Sequence, residues 1–275
     1  MKKLIVVADW AGNDLNRQEV RSTVMGFLKD STYAHISFVT SSPSTISTGF
    51  IVSQVVETEE RYGKANETVI FQNTDPRIQT DQSVQHARGA EFVIIKLKSG
   101  MYLCGPNAGY DFSLIKGKIE EAYKYPGLDQ GSQFRSRDLY SRVSAHLMDY
   151  MEDELDLEEI GVDTIPKLDG EYIFYIDNHG NMKTSLTSED LKGKYEYGES
   201  VSVSINGVQK KVTYVNNLFG GVPGELVIYP GSSGTKGNPY LEISVWRHFT
   251  EKDQATGLLS FNNPPPGAAI RLMPG

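Results

Sequence analysis

Through its first half the chain alternates short apolar runs with segments of helical spacing. Leu4-Ile5-Val6-Val7-Ala8 is continuous and mostly β-branched, as in a strand buried on both faces of a parallel sheet. Over 17–28, Val20, Val24, Phe27 and Leu28 share one helical face. A second strand is predicted over 35–40. A helix then starts at Ser42-Pro43, where proline's missing N–H costs nothing, and buries Ile46, Phe50, Val55 and Val56. Further strands follow over 68–71 and 91–95, and Ser99-Gly100 turns the latter into a strand over 101–104. The spacing of Leu139, Val143, Leu147 and Tyr150 predicts a helix over 137–150. Strands alternating with helices imply βαβ units and a mainly parallel sheet.

The period then changes. An acidic stretch from Glu152 to Glu159 runs toward Pro166, and beyond it the alternation is that of strands. Strands are predicted over 171–177, 202–208, 226–229, 240–243 and 268–273, with an Asn206-Gly207 hairpin signal. No helix is predicted after Lys192, and Pro264-Pro265-Pro266 forms a rigid spacer. The expected organisation is an α/β nucleoside-binding domain over 1–167. A small all-β domain, an antiparallel barrel or sandwich, follows over 168–275.

Composition narrows the function classes. The formal charge of −8 argues against a nucleic-acid partner. The single cysteine, Cys104, excludes an internal disulfide framework and a cysteine metal cluster. No run approaches the ~20 apolar residues of a spanning helix, and the N-terminal stretch carries no cleavage-site pattern, so a cytoplasmic protein is expected. The five histidines show no metal-ligand spacing, and the familiar serine-elbow, phosphate-loop and zinc-helix motifs do not occur. A metal is not expected.

What remains is a set of polar turns at strand ends. Asp9-Trp10-Ala11-Gly12-Asn13-Asp14 leaves the first strand, where open α/β sheets place their ligands. Asp9 is a candidate for ribose hydroxyls; equally, Asp9 or Asp14 caps the turn or the next helix. Asn73-Thr74-Asp75-Pro76-Arg77, Gly105-Pro106-Asn107-Ala108-Gly109, Phe134-Arg135-Ser136-Arg137-Asp138, Asp177-Asn178-His179-Gly180-Asn181 and Gly231-Ser232-Ser233-Gly234 follow in that order.

Taken in order, these turns resemble those of the S-adenosylmethionine-dependent hydroxide adenosyltransferase family, which also contains fluorinating and chlorinating enzymes. Asp9 to Asp14 resembles its Asp-x-Gly-x-x-Asp opening, with the glycine displaced by one. Asp75-Pro76, Gly105 to Gly109, Phe134 to Asp138, Ala145-His146-Leu147 and Asp177 to Asn181 match its later motifs. So do Gly224-Glu225-Leu226, Ser232-Ser233-Gly234 and Leu241-Glu242-Ile243. The resemblance implies attack by water on ribose C5′ of S-adenosylmethionine, releasing methionine and adenosine without any cofactor. It gives Asp9 to the ribose hydroxyls and counts Trp10 and Asn107 among the substrate-binding residues. It gives Asp177 to the methionine ammonium, His179 to the position of the family's aromatic, Asn181 to the adenine edge, and Ser232 and Ser233 to the amino-acid end. Ser136 would lie near the nucleophile. It also implies a homotrimer with sites between subunits.

Three departures bear on the chemistry. Of the Asp, Arg and His trio associated with hydrolytic members, Asp75 matches the Asp, and Arg88 or Arg77 is available for the Arg. Arg135, which cannot act as a base, stands at the His position. Ser44 replaces an aromatic pocket wall. The Ser-x-Gly turn is lengthened over 235–239. Besides hydrolysis, two readings therefore stand: a protein that binds S-adenosylmethionine or adenosine with little turnover, and a halide-using adenosyl transferase.

Overall fold

The computed structural model describes residues 2–76, 89–127, 132–235, 237–246 and 255–273, and the chain divides into two compact units, Met1–Leu168 and Asp169–Gly275. Among the described residues no helix is long and apolar enough to cross a membrane.

In the first unit, β1 (Lys2–Ala8) leads through α1 (Asp14–Phe27) to β2 (Ala34–Thr40), and α2 (Thr45–Tyr62) leads to β3 (Thr68–Asn73). Both β2 and β3 pair with β1 in parallel, one on each side. Leu4, Val6 and Ala8 pack with Val20 and Val24 of α1 and with Val143 and Leu147 of α3 (Ser141–Met148). Strand alternation turns Ile5 and Val7 to the opposite face. Burying such side chains stabilises the fold by about 1.5–3 kcal/mol each. Asn13 caps α1, its side chain accepting from Asn16 N–H, and Ser44 caps α2 by accepting from Ser47 N–H. Pro43 thus precedes the cap instead of occupying the first turn. Phe27, expected on the buried face of α1, is 45% exposed, and Leu28 just beyond the helix is buried in its place.

The sheet is mixed, not mainly parallel: its order is β2-β1-β3-β5-β4-β6-β7. β4 (Phe92–Leu97) turns through Ser99-Gly100 into β5 (Tyr102–Pro106), which lies parallel to β3 and antiparallel to β4. β6 (Ile119–Lys124) and the two-residue β7 (Glu158–Glu159) then add antiparallel. So short a hairpin has no room for a crossover helix, and the parallel pattern stops at β5. This hairpin brings the start of β4 to the same end as the tips of β1, β3 and β5, since Phe92 lies opposite Pro106.

The helix predicted over 137–150 is divided. Ser136–Tyr140 forms a π-helical turn, with Ser141 N–H bonded to Ser136 O, before α3 begins. The wider turn shifts the register, so that Tyr140 is buried where spacing favours Leu139.

The second unit forms one seven-stranded sheet. It contains β8 (Ile173–Ile176), β9 (Met182–Thr187), β10 (Ser200–Ile205), β11 (Val208–Tyr214), β12 (Leu226–Thr235), β13 (Asn238–Val245) and β14 (Ile270–Leu272), in the order β14-β10-β11-β12-β13-β9-β8. The pairings are antiparallel except β11 with β12. A Tyr172–Ala269 bridge and the bond from Ile173 N–H to Ala268 O join the two edges, closing the sheet nearly into a barrel. Inside lie Ile173, Met182, Val203, Ile228, Ile243, Phe261 and Ile270. Two single-turn helices, α4 (Ser188–Leu191) and α5 (Gly257–Ser260), interrupt the strands, the second where none is expected.

Candidate functional site

The chain leaves β1 toward β2 on one side and reaches β3 on the other, so the strand order reverses at β1. A crevice opens outside the strand tips at such a point. A cavity of about 810 Å³ lies there, lined by Asp9, Trp10, Asn16, Pro43, Asn73, Asp75, Pro76, Gly89, Pro106, Gln133, Phe134, Arg135, Ser136 and Tyr140. It gathers five of the sequence-predicted residues: Asp9 and Trp10 after β1, Asp75 after β3, and Arg135 and Ser136 at the π-helical turn.

Trp10 stands edge-on to Phe134, with ring centroids 5.6 Å apart, and to Phe38 at 6.4 Å. These rings form an apolar wall beside Asp9. Asp14 has a different setting: its side chain is 89% exposed and pairs with Arg17 in the first turn of α1. Of the two carboxylates in the opening turn, only Asp9 lines the cavity.

Asp75 Oδ2 accepts from Ala90 N–H at 3.2 Å and lies 3.7 Å from the guanidinium of Arg135. The guanidinium also sits over the Tyr140 ring, 6.0 Å from its centroid. Gly89 makes room for it: with φ of +84°, a Cβ there would lie 2.2 Å from an Arg135 nitrogen. Asn73 Nδ2 donates to Ser136 Oγ, and Ser136 O accepts from Ser141 Oγ at 2.7 Å. Ser136 is only 3% exposed, so its hydroxyl is withdrawn from bulk water. Arg137, two residues beyond Arg135, is engaged with Asp138 and Glu19.

Asp111, to which no sequence motif points, does not line the cavity but is near enough to Asp75 and Asp9 to feel their charges. It is fully buried, and neither carboxyl oxygen makes a hydrogen bond of ordinary geometry among the described residues. Burial pushes its carboxyl well above the ordinary carboxylate range; nearby backbone N–H groups oppose this, and the charges of Asp75 and Asp9 add to it. Its segment is held close to α2, where a Cβ on Gly49 would lie 2.3 Å from Tyr110 O. Asn73, Gly89 and Tyr140 are likewise not among the sequence-predicted site residues. Asn73 stands inside a quoted turn, and its polar side chain ending an apolar strand is the available signal.

Asn107 does not line the cavity: its Nδ2 donates to Thr164 O at 3.1 Å. Arg88 lies outside the described residues, as does Arg77. No group of three or more His, Cys, Asp or Glu side chains among the described residues could hold a metal ion.

In the second unit the predicted residues form two local networks. Asp177 Oδ1 accepts from His179 N–H at 2.8 Å and from Asn181 N–H at 2.9 Å, while Oδ2 accepts from Asn181 Nδ2 at 2.8 Å. The carboxylate thereby shapes the turn between β8 and β9. Ser232 sits where the β12–β13 register shifts, between Pro230 and Gly234. Its N–H and hydroxyl donate to Glu242 Oε1 at 2.9 and 3.3 Å, and Lys183 Nζ donates to both Ser232 Oγ and Glu242. Tyr229 OH donates to Glu242 Oε2 at 3.3 Å. The hydroxyl of Ser233 is enclosed and has no partner among the described residues.

Comparisons with known proteins bear on both units. Residues 171–256 match the model of the SAM hydroxide adenosyltransferase C-terminal domain. A protein of Methanocaldococcus jannaschii named (R)-S-adenosyl-L-methionine hydrolase is 29% identical over 144 residues, covering 46% of this chain and 50% of that protein. The match therefore spans about half the length of that relative. Two crystal structures share the fold. One is an uncharacterized conserved protein from Thermotoga maritima, with a TM-score of 0.70 and 17% identity, covering 98% of this chain and 100% of that one. The other is a conserved hypothetical protein from Thermus thermophilus, with a TM-score of 0.66 and 18% identity, covering 99% and 100%.

Proposed function

We propose that the chain is a member of the SAM hydroxide adenosyltransferase family, whose C-terminal domain model its residues 171–256 match, and that it hydrolyses S-adenosylmethionine to adenosine and methionine. Water oxygen forms the new bond to ribose C5′. The C5′–S bond breaks with its electron pair passing to sulfur, which leaves as the neutral thioether of methionine. A leaving group already activated in this way asks the protein mainly to position, desolvate and align the nucleophile. No cofactor takes part.

The observation that carries this reading is the convergence of Asp9, Asp75, Arg135 and Ser136 on one cavity. In it Asp9 offers two acceptor oxygens to the two ribose hydroxyls, with Trp10 as the apolar wall. Asp75 accepts the proton of the attacking water, Ser136 donates to its oxygen, and Arg135 balances the charge of Asp75. The methionine and adenine contacts of Asp177, His179, Asn181, Ser232 and Ser233 are assigned by family analogy, as is a homotrimeric assembly. Incubation with S-adenosylmethionine, followed by chromatography, should yield adenosine in step with enzyme concentration. No adenosine above background at any pH would sink the proposal, and product formed only with added chloride or another halide would select the halide-using alternative. Sedimentation of the pure protein tests the trimer.

One observation favours a second reading, binding with little turnover. Arg135 supplies donors and no base, and Asp75 Oδ2 already accepts from Ala90 N–H. Tight adenosine binding without product would select it.

A further inference from the structure

We infer that Asn73 is a positioning residue that fixes the Ser136 hydroxyl as a hydrogen-bond donor toward the nucleophile. The inference rests on the reading of the cavity given above and assigns it a further part.

Asn73 is the last residue of β3, in register with Ala8 at the tip of β1, so its side chain emerges where the cavity begins. Its Nδ2 donates to Ser136 Oγ. A serine hydroxyl has one proton and two lone pairs, and an amide N–H can meet only a lone pair. The contact therefore leaves the Ser136 proton to be given elsewhere. The acceptor nearest in sequence, the Ser136 carbonyl, is taken by the N–H and hydroxyl of Ser141. Arg135 beside it carries donors only. Both Asn73 and Ser136 line the cavity, and an acceptor placed there receives the proton. Because Ser136 is withdrawn from bulk water, that hydrogen bond is strengthened by its surroundings.

The consequence is an oriented water. Ser136 donates to one lone pair, Asp75, an acceptor when ionised, takes one proton, and the second lone pair is left for C5′. Without Asn73, Ser136 could equally accept from the water and turn its lone pair away.

Asn73→Asp reverses the polarity at nearly constant shape, since the carboxylate would take the Ser136 proton. Its kcat for adenosine formation should fall roughly 10- to 100-fold, short of the loss on removing a direct donor. The KM for S-adenosylmethionine should stay within about twofold. Combining Asn73→Asp with Ser136→Ala should be no slower than Ser136→Ala alone, because the first acts only through the second. A variant within about twofold of wild type, or effects of the two substitutions that multiply, would overturn the inference. Should the wild type form no adenosine, the hydrolytic reading fails and crystallography decides this one. Wild-type crystals should hold an ordered water or anion on the cavity side of Ser136 Oγ, lost in Asn73→Asp; the same density in both would overturn it.

Discussion

The cavity of the first unit and the polar turns of the second are built from similar residues and treat them in opposite ways. In the second unit the polar groups largely satisfy one another. Asp177 accepts three hydrogen bonds from its own turn, and Glu242 collects Lys183, Ser232 and Tyr229. In the first unit Asp75 stands 3.7 Å from Arg135, and Asp111 is buried without a hydrogen bond of ordinary geometry among the described residues. A network closed on itself holds a shape; one left partly open keeps interaction energy for a ligand or a transition state.

Substitutions that separate shape from binding test the contrast. The largest effect is expected from Asp177→Ala. Three hydrogen bonds to one carboxylate are lost, two of them from backbone N–H groups. Unfolding by urea should show a loss of about 2–3 kcal/mol. Wild-type stability would mean that the turn holds its shape without the carboxylate. Next comes Asp9→Asn, which should weaken adenosine binding about tenfold in calorimetry. Asp14→Asn, outside the cavity, should change binding less than about twofold, the scale of an exposed pair; equal effects would assign the wrong carboxylate to the ribose.

The smallest effect is expected from Asp111→Asn. The folded protein raises the Asp111 pKa, so the neutral acid is favoured in the fold. That contribution is complete below the carboxyl's unfolded value of about 3.9 and is lost progressively as pH rises toward the folded value. An amide removes the titration. The stability difference between variant and wild type should therefore shift in the variant's favour between about pH 4 and pH 7, measured by urea unfolding. A pH-independent difference would mean that the carboxyl ionises freely.

Much of the fold is legible because burial on both faces leaves continuous apolar runs, as in β1 and β3. β6 escapes for the converse reason: Glu120, Glu121 and Lys124 break its run, and only Ile119 and Ala122 are buried. A mainly parallel sheet extrapolates the βαβ alternation past β3, and the Ser99-Gly100 hairpin ends it. The π-helical turn leaves no trace in spacing, since it displaces the buried face by a single residue. At the site, residue types at strand tips are readable from the chain, but partners are not. Nothing local shows that Asp177 and Asn181 bond to each other, that Asn107 reaches Thr164, or that Asp111 is enclosed.

Gly89 has a bearing on how this site can change over generations. Arg135 occupies its place beside Asp75 because position 89 offers no side chain, and any other residue there would have to adopt a left-handed backbone while displacing the guanidinium. The two positions are therefore mutually contingent. A lineage exchanging Arg135 for a smaller residue removes the clash at position 89 and leaves only the left-handed backbone to disfavour a side chain there, whereas losing the glycine first also unseats the cation while Asp75 still needs it. Mutational paths through this pocket have a preferred order, set by a residue that contributes no functional group at all.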